Sequence, residues 1–281
     1  MSATVQNNMI WIYKEDRLCE MPSLSDAMEL SGALSGCLVV SVVGAGGKTT
    51  TLHSLAGELV HQGQKVVVTT STHIVEEDEP YFFKAAAGDH LTDGSQMQEA
   101  AQVFSDQIRG KMDCFGQVWT GMPATGGKFC GLPEMFLDQI WKLDIPVLIE
   151  ADGAKKKPLK VPAGHEPVIH PRTTHVLSVY GLDAVGERLE DVCFREELAE
   201  EILKKRKDER VTSEDIALLA ASPRAGRKGC PGHAVYTVVL NKADSFRRRE
   251  EALTICRELK NRGIRRVLVT SYPGSRKKNN R

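Results

Sequence analysis

One junction limits the folds open to this chain more than any other. An apolar, β-branched run, Leu38–Val43, leads directly into Gly44-Ala45-Gly46-Gly47-Lys48-Thr49-Thr50, and helical sequence follows over Thr49–Gln62. A strand apolar on both faces needs cover on both faces, as in a parallel sheet lying between helix layers. The same kind of run recurs at Lys65–Thr70, Gln117–Thr120, Pro146–Ala151, His175–Tyr180, Val235–Leu240 and Arg265–Thr270. Between them Pro133–Leu143, Glu187–Lys207, Thr212–Ala221 and Phe246–Arg262 have helical spacing or composition. Alternating strands and helices predict an α/β fold with a mostly parallel, doubly wound sheet and helices on both faces.

The organisation expected is a preamble over residues 1–36, one α/β domain over 37–272 and a flexible basic tail over 273–281. Ser23–Leu34 reads as a short helix capped by Ser23 or Ser25. Residues 76–116 are less regular and read as an insertion or lid.

The Gly-rich turn carries the first chemistry. Glycines let a backbone turn tightly enough for successive N–H groups to converge on an anion, and a helix starting near Lys48 adds its positive dipole end. Gly44, Ala45, Gly46, Gly47, Lys48, Thr49 and Thr50 are thus expected to cradle the phosphates of a nucleoside triphosphate. Lys48 would reach the terminal phosphates and the Thr49 hydroxyl would ligate Mg²⁺. The fold expected is therefore of the phosphate-loop NTPase type. Val42 stands where the longer GxxxxGK[ST] pattern has its first glycine, so the loop is the shorter GxxGKTT form, similar to that of the Mur ligases.

Two further strand ends fit such a site. The run Pro146–Ile149 ends in Glu150-Ala151-Asp152-Gly153, and a carboxylate there is placed to hold a metal or its water shell. Asp152 is the leading metal partner beside Thr49, with Glu150 second. Val235–Leu240 ends in Asn241-Lys242-Ala243-Asp244, which matches the NKxD guanine-reading motif. One carboxylate accepts both the imide N–H and the exocyclic amine of guanine, a donor pair that adenine lacks. Asp244 would read the base, Asn241 would position the loop, the Lys242 stem would cover the ring and Ser271 would close over it. The shortened Gly loop is most familiar from ATP users, so GTP and ATP both stand.

Thr69-Thr70-Ser71-Thr72-His73 offers hydroxyls at another strand end. The stretch from Gly153 to Ile169 is rich in Pro and Lys, and loops at the carboxyl ends of parallel strands carry function disproportionately. Lys155, Lys156, Lys157 and Lys160 suit an anion; His165 and Glu166 suit acid–base work. Lys48, Glu150, Asp152 and His165 form the candidate catalytic set. His165, His170 and His175 recur every five residues, a spacing of neither helix nor strand, and no metal site is read from it.

Composition limits the partners. Lys plus Arg and Asp plus Glu are equal at 37 each, which gives no overall pull toward nucleic acid or anionic membrane. Residues 1–16 lack the pattern of a signal peptide, and no apolar run is long enough to span a bilayer. The 7 cysteines are scattered and odd in number, so reduced thiols and a cytosolic location are expected.

The pairing of VVGAGGKTT with EADGAKKKPLKVPAGHEPVI resembles the selenium-dependent molybdenum hydroxylase accessory protein family, often called YqeC. YGLDAVG, TSEDIALLAASPRAGRKGCPGHA and VVLNKAD are similar to it as well, so the likeness covers roughly residues 20 to 272. His170 departs from it locally, standing where a proline-led turn is expected to begin. The resemblance implies a nucleotide-binding maturation factor that serves a molybdenum hydroxylase apo-enzyme or another cofactor-assembly protein, with slow hydrolysis gating cofactor transfer. Glu150-Ala151-Asp152-Gly153 also resembles the ExxG element of GTPases that insert nickel. An ATP-dependent small-molecule kinase or ligase, and a non-catalytic nucleotide-binding scaffold, remain open beside it.

Overall fold

The computed structural model describes residues 8–30, 38–85 and 94–272; the basic tail, Cys37 and the end of the Ser23–Leu34 segment lie outside them. In chain order come β1 (Met9–Lys14), β2 (Arg17–Met21), α1 (Leu24–Ala27), β3 (Val39–Gly44), α2 (Lys48–His61), β4 (Val66–Thr70), β5 (His73–Val75), β6 (Phe82–Lys84) and α3 (Gly94–Phe115). Then follow β7 (Gln117–Ala124), β8 (Lys128–Cys130), α4 (Glu134–Trp141), β9 (Val147–Glu150), β10 (Leu159–Lys160) and β11 (His175–Gly181). A 3-10 turn (Leu182–Ala184), α5 (Leu189–Val192), β12 (Cys193–Phe194), α6 (Glu196–Leu203), α7 (Ser213–Ala221), β13 (Val235–Asn241), α8 (Phe246–Asn261) and β14 (Val267–Ser271) complete the described chain.

A 12-stranded sheet runs in the order β2-β1-β14-β13-β11-β3-β9-β4-β7-β8-β5, with β6 on β7. From β14 to β7 the strands are all parallel. They coincide with the seven β-branched runs read from the sequence. The antiparallel additions lie at the two ends, β1 and β2 beyond β14 and β8 and β5 beyond β7. The result is a large mixed, mostly parallel sheet flanked by helices.

Side-chain alternation along the strands sorts the core into layers. Val40 and Val42 of β3 pack with Leu52, Leu55 and Leu59 of α2 and Leu24 of α1 on one face. Val39 joins Val67, Val147 and Ile149 beneath Phe104 and Ile108 of α3 and Phe136 and Ile140 of α4 on the other. The same second face, near β13 and β14, is covered by α7 and α8 through Ile216, Leu219, Ile255 and Leu259. Residues 76–116 thus supply β6 and a helix whose apolar stripe is part of this core.

Two expectations need correction. Met9–Lys14 and Arg17–Met21 carried no strand in the sequence reading, yet Ile10 and Trp11 pair with Thr270 and Val269 and are buried. The single helix expected over Glu187–Lys207 is two helices, because Cys193–Phe194 leaves the helix to pair with Leu159–Lys160. Arg195 then takes a left-handed conformation, φ 64°, which stops helical continuity. Six described cysteines are free thiols. No helix among the described residues is long and apolar enough to cross a membrane.

Candidate functional site

Parallel strands end on one edge, and their loops meet there. Strand register brings Gly44 opposite Val179, Val42 opposite Glu150, Thr70 opposite Glu150 and Asn241 opposite Thr270. The ends of β3, β9, β4, β11, β13 and β14 therefore line up beside the start of α2.

The Gly-rich turn is packed tightly against this edge. A Cβ on Gly44 would sit 2.4 Å from the Val179 carbonyl oxygen, and one on Gly46 would sit 2.4 Å from the Gly181 nitrogen. The Ala45 N–H donates to Val179 O (2.8 Å), and the Gly46 N–H donates to Lys157 O (3.2 Å). The glycines at 44 and 46 are thus required by backbone neighbours, apart from any ligand. The amides that helix geometry leaves for a ligand are those at the start of α2. Gly47 caps that helix without a side-chain hydrogen bond, and its first turn holds no acid. The N–H groups of Gly47, Lys48, Thr49 and Thr50 have no helical carbonyl to take them, and they carry the positive end of a 14-residue helix.

Lys48 is 5% exposed. Its Nζ donates to Gly44 O at 2.8 Å and lies 3.2 Å from Asp152 Oδ1 and 3.9 Å from Glu150 Oε1. The two carboxylates face different groups. Thr49 Oγ1 donates to Glu150 Oε2 at 2.9 Å. Burial pushes the Glu150 carboxyl above its ordinary value, against the opposing pull of Lys48 and the Thr49 hydrogen bond. Asp152, expected as the metal partner of Thr49, instead accepts from the Gly44 N–H (3.0 Å), forms an ion pair with Lys160 Nζ at 3.0 Å and is 2% exposed. Glu150 is the carboxylate that touches Thr49.

The segment Gly153–Pro167 forms a strap over the turn. Lys160 Nζ also donates to Gly153 O (2.6 Å) and Glu166 Oε2 (2.7 Å), and Arg195 Nη1 donates to the same Glu166 oxygen at 2.7 Å. Burial alone would push Glu166 up, but the bonds from Lys160 and Arg195 outweigh it and hold the carboxyl below its ordinary value. Lys157 Nζ donates to Glu190 O (3.0 Å), and Lys228 Nζ donates to Ala163 O. Lys155 lies 4.9 Å over the Phe194 ring, and both Lys155 and Lys156 have positive φ. His165 sits exposed on a turn of the strap, outside this network of bonds.

The Asn241–Asp244 turn reaches the Gly-rich turn directly. Asn241 Nδ2 donates to Gly46 O (2.8 Å), while its Oδ1 accepts from Thr270 Oγ1 (3.0 Å). A Cβ on Gly47 would meet Asn241 Nδ2 at 2.0 Å. Asp244 Oδ1 accepts from Ser271 Oγ at 2.7 Å, and Arg248 Nη1 lies 3.3 Å from Oδ2. Lys242 takes a left-handed backbone conformation and pairs with Asp183 at 2.6 Å. At the Thr69–His73 segment, Thr70 Oγ1 and the Ser71 N–H donate to Glu150 O (2.9 and 3.1 Å). The buried Thr69 and Thr72 hydroxyls have no hydrogen-bond partner among the described residues.

Of the sequence candidates, Gly44–Thr50, Glu150, Asp152 and Asn241 converge, Asp244 and Ser271 bond to each other at the same edge, and His165 stands apart. Sequence reading missed Arg195, Asp183 and Arg248. Arg195 lies 29 residues from Glu166, and Asp183 lies 59 from Lys242, with no local pattern to link them. Among the described residues no three His, Cys, Asp or Glu side chains form a metal cage, so a divalent ion here would need oxygens from a ligand as well.

The YqeC protein family matches residues 40–197, which contain the Gly-rich turn, both carboxylates and the strap. The uncharacterized protein YqeC of Escherichia coli (strain K12) is 32% identical over 163 residues, 56% of this chain and 57% of that protein. The match thus spans a little over half of that relative's length. No solved structure matches the chain.

Proposed function

The chain belongs to the YqeC protein family, and from that membership and the site geometry we propose that it is a phosphate-loop protein that binds a guanosine triphosphate with Mg²⁺. We further propose that it hydrolyses the nucleotide slowly as a maturation factor for a selenium-dependent molybdenum hydroxylase. The maturation role follows from the family resemblance; the nucleotide reading rests on the site.

One observation carries it: the uncapped, acid-free start of α2 beside Lys48, tied through Gly46 to the Asn241 side chain. Four amides without a helical acceptor and a helix dipole favour a polyanion, and Lys48 stands at the same place. The tie from Asn241 to the turn, and that from Ser271 to Asp244, supports reading of the base at the ends of β13 and β14. Asp244 is bonded by Ser271 on Oδ1 and by Arg248 on Oδ2, and a carboxylate so placed is the acceptor type that two donors on one edge of guanine call for.

The metal fits Thr49 and Glu150. A hydroxyl and a carboxylate oxygen 2.9 Å apart are the hard donors that Mg²⁺ prefers, with phosphate oxygens and water completing its shell. When bound, the ion neutralises charge on the phosphates. Lys48 orients the terminal phosphates, and the Glu150 carboxylate stays beside the metal position. No described side chain at the site is a free, exposed base, so turnover is expected to be slow and to depend on a partner. A molybdenum hydroxylase apo-enzyme or another cofactor-assembly protein would be that partner.

Thermal-shift titration with GTP and ATP, with and without Mg²⁺, tests the reading. A ligand at one hundred times its Kd stabilises the folded state by about 2.7 kcal/mol. GTP is expected to raise the Tm more than ATP, Lys48→Ala to abolish both responses and Asp244→Ala to erase the difference. A wild-type Tm that no nucleotide moves would refute nucleotide binding; a stronger ATP response would refute the guanine assignment alone.

A further inference from the structure

The strap contains a lysine that the chemistry above leaves unused. The Lys160 side chain is 0% exposed, and an ammonium so placed needs compensation from its neighbours. Its Nζ has three: Gly153 O at 2.6 Å, Glu166 Oε2 at 2.7 Å and Asp152 Oδ2 at 3.0 Å. Arg195 bonds the same Glu166 oxygen at 2.7 Å. The other oxygen of Asp152, Oδ1, lies 3.2 Å from Lys48 Nζ. One buried carboxylate is therefore shared by two ammonium groups, one from the Gly-rich turn and one from the strap. Sharing is uneven, since Oδ1 has no hydrogen bond of good geometry among the described residues, while Lys48 donates to Gly44 O.

We propose that Lys160 is a positioning residue for Lys48: by occupying Asp152 it prevents that carboxylate from locking Lys48 away from the terminal phosphates of a nucleoside triphosphate. The inference rests on the nucleotide reading. In a water-poor site a lone carboxylate beside Lys48 competes directly with an incoming phosphate for the same ammonium. Lys160 divides the charge of Asp152, and Glu166 with Arg195 holds Lys160 where it can do so. The strap thereby contributes to phosphate affinity without touching phosphate.

The test is a fluorescence titration of the full chain with N-methylanthraniloyl-GTP and Mg²⁺, comparing wild type, Lys160→Met, Asp152→Asn and the Asp152→Asn/Lys160→Met pair. Lys160→Met is expected to weaken binding at least tenfold. The double variant removes one charge of each sign and keeps the Glu166–Arg195 pair, and it is expected to recover most of that loss because no carboxylate remains to trap Lys48. A double variant that binds no better than Lys160→Met overturns the proposal, as does a Lys160→Met protein that binds like wild type. Far-UV circular dichroism establishes which variants fold. Should Lys160→Met not fold, the comparison of Asp152→Asn with the double variant decides: a change under twofold supports the proposal, and a further tenfold loss overturns it. Wild type that fails to bind the labelled nucleotide refutes the nucleotide reading itself, whereas normal wild-type binding with insensitive variants refutes only the role of Lys160.

Discussion

Replacing Gly47 by alanine tests the packing of the Gly-rich turn with a cost that can be worked from the structure. Gly47 has φ 138°, and a side chain there costs about 1–2 kcal/mol in backbone strain. The new Cβ would lie 2.0 Å from Asn241 Nδ2, so the amide has to leave. Asn241 is 4% exposed and bonds to Gly46 O (2.8 Å) and Thr270 Oγ1 (3.0 Å). Losing both bonds costs about 1 kcal/mol each. The sum is about 3–4 kcal/mol, a large share of the roughly 5–15 kcal/mol that holds a typical protein folded. Gly57 is the control. It lies exposed in the middle of the same helix, and an added Cβ meets nothing within 4 Å, so Gly57→Ala should stabilise by about 0.5–1 kcal/mol. Urea unfolding followed by tryptophan fluorescence measures both. The reasoning fails if Gly47→Ala is as stable as wild type, or if Gly57→Ala is destabilised to the same degree.

Other predictions concern selectivity, metal and pH. Helix α8 opens Phe246-Arg247-Arg248-Arg249 with no acid in its first turn, against the preference of a helix dipole. Arg248 Nη1 lies 3.3 Å from both Lys242 O and Asp244 Oδ2. Arg248→Met should therefore lower the ratio of GTP to ATP affinity several-fold in competition titrations while leaving tripolyphosphate binding unchanged. Glu150→Gln should still bind GTP, but Mg²⁺ should no longer strengthen that binding in calorimetry. Burial depresses His175 below its ordinary 6.5, and His170 is lowered in the same direction. The unfolded chain then binds more protons than the folded one, so stability is full above about pH 6.5 and falls as the pH drops below it. Urea midpoints between pH 7 and 5 should show this loss, reduced in His175→Gln.

How much was legible follows from where each signal lies. The parallel strands could be read because β3, β4 and β9 are wholly buried, or nearly so, and written in Val, Ile and Leu. The edges could not. β5 and β6 have three residues each, too few for a periodicity, and β1 mixes Trp11, Tyr13 and Lys14 with its apolar residues. Helical composition over Glu187–Lys207 concealed the break at Cys193–Phe194, which depends on pairing with a strand far back in the chain. At the candidate site, Lys48 and Asn241 were legible because each sits within a short motif at a strand end. The division between Glu150 and Asp152 was not, because it is decided by Lys160 approaching one carboxylate and Thr49 the other. His165 looked chemical by its letter and its neighbours, but the turn directs it to solvent.

The amide of Asn241 fastens two strand ends that lie three sheet positions apart, Gly46 past β3 and Thr270 on β14 having only β11 and β13 between their strands. Neighbouring strands are about 4.8 Å apart, so the span from the start of α2 to Asp244 behaves as a gauge of fixed length. A ligand gripped at both ends has to match that length. Bare tripolyphosphate or free guanosine, each engaging one jaw, should bind far more weakly than the joined molecule, and analogues with a stretched linkage between sugar and phosphate should be rejected.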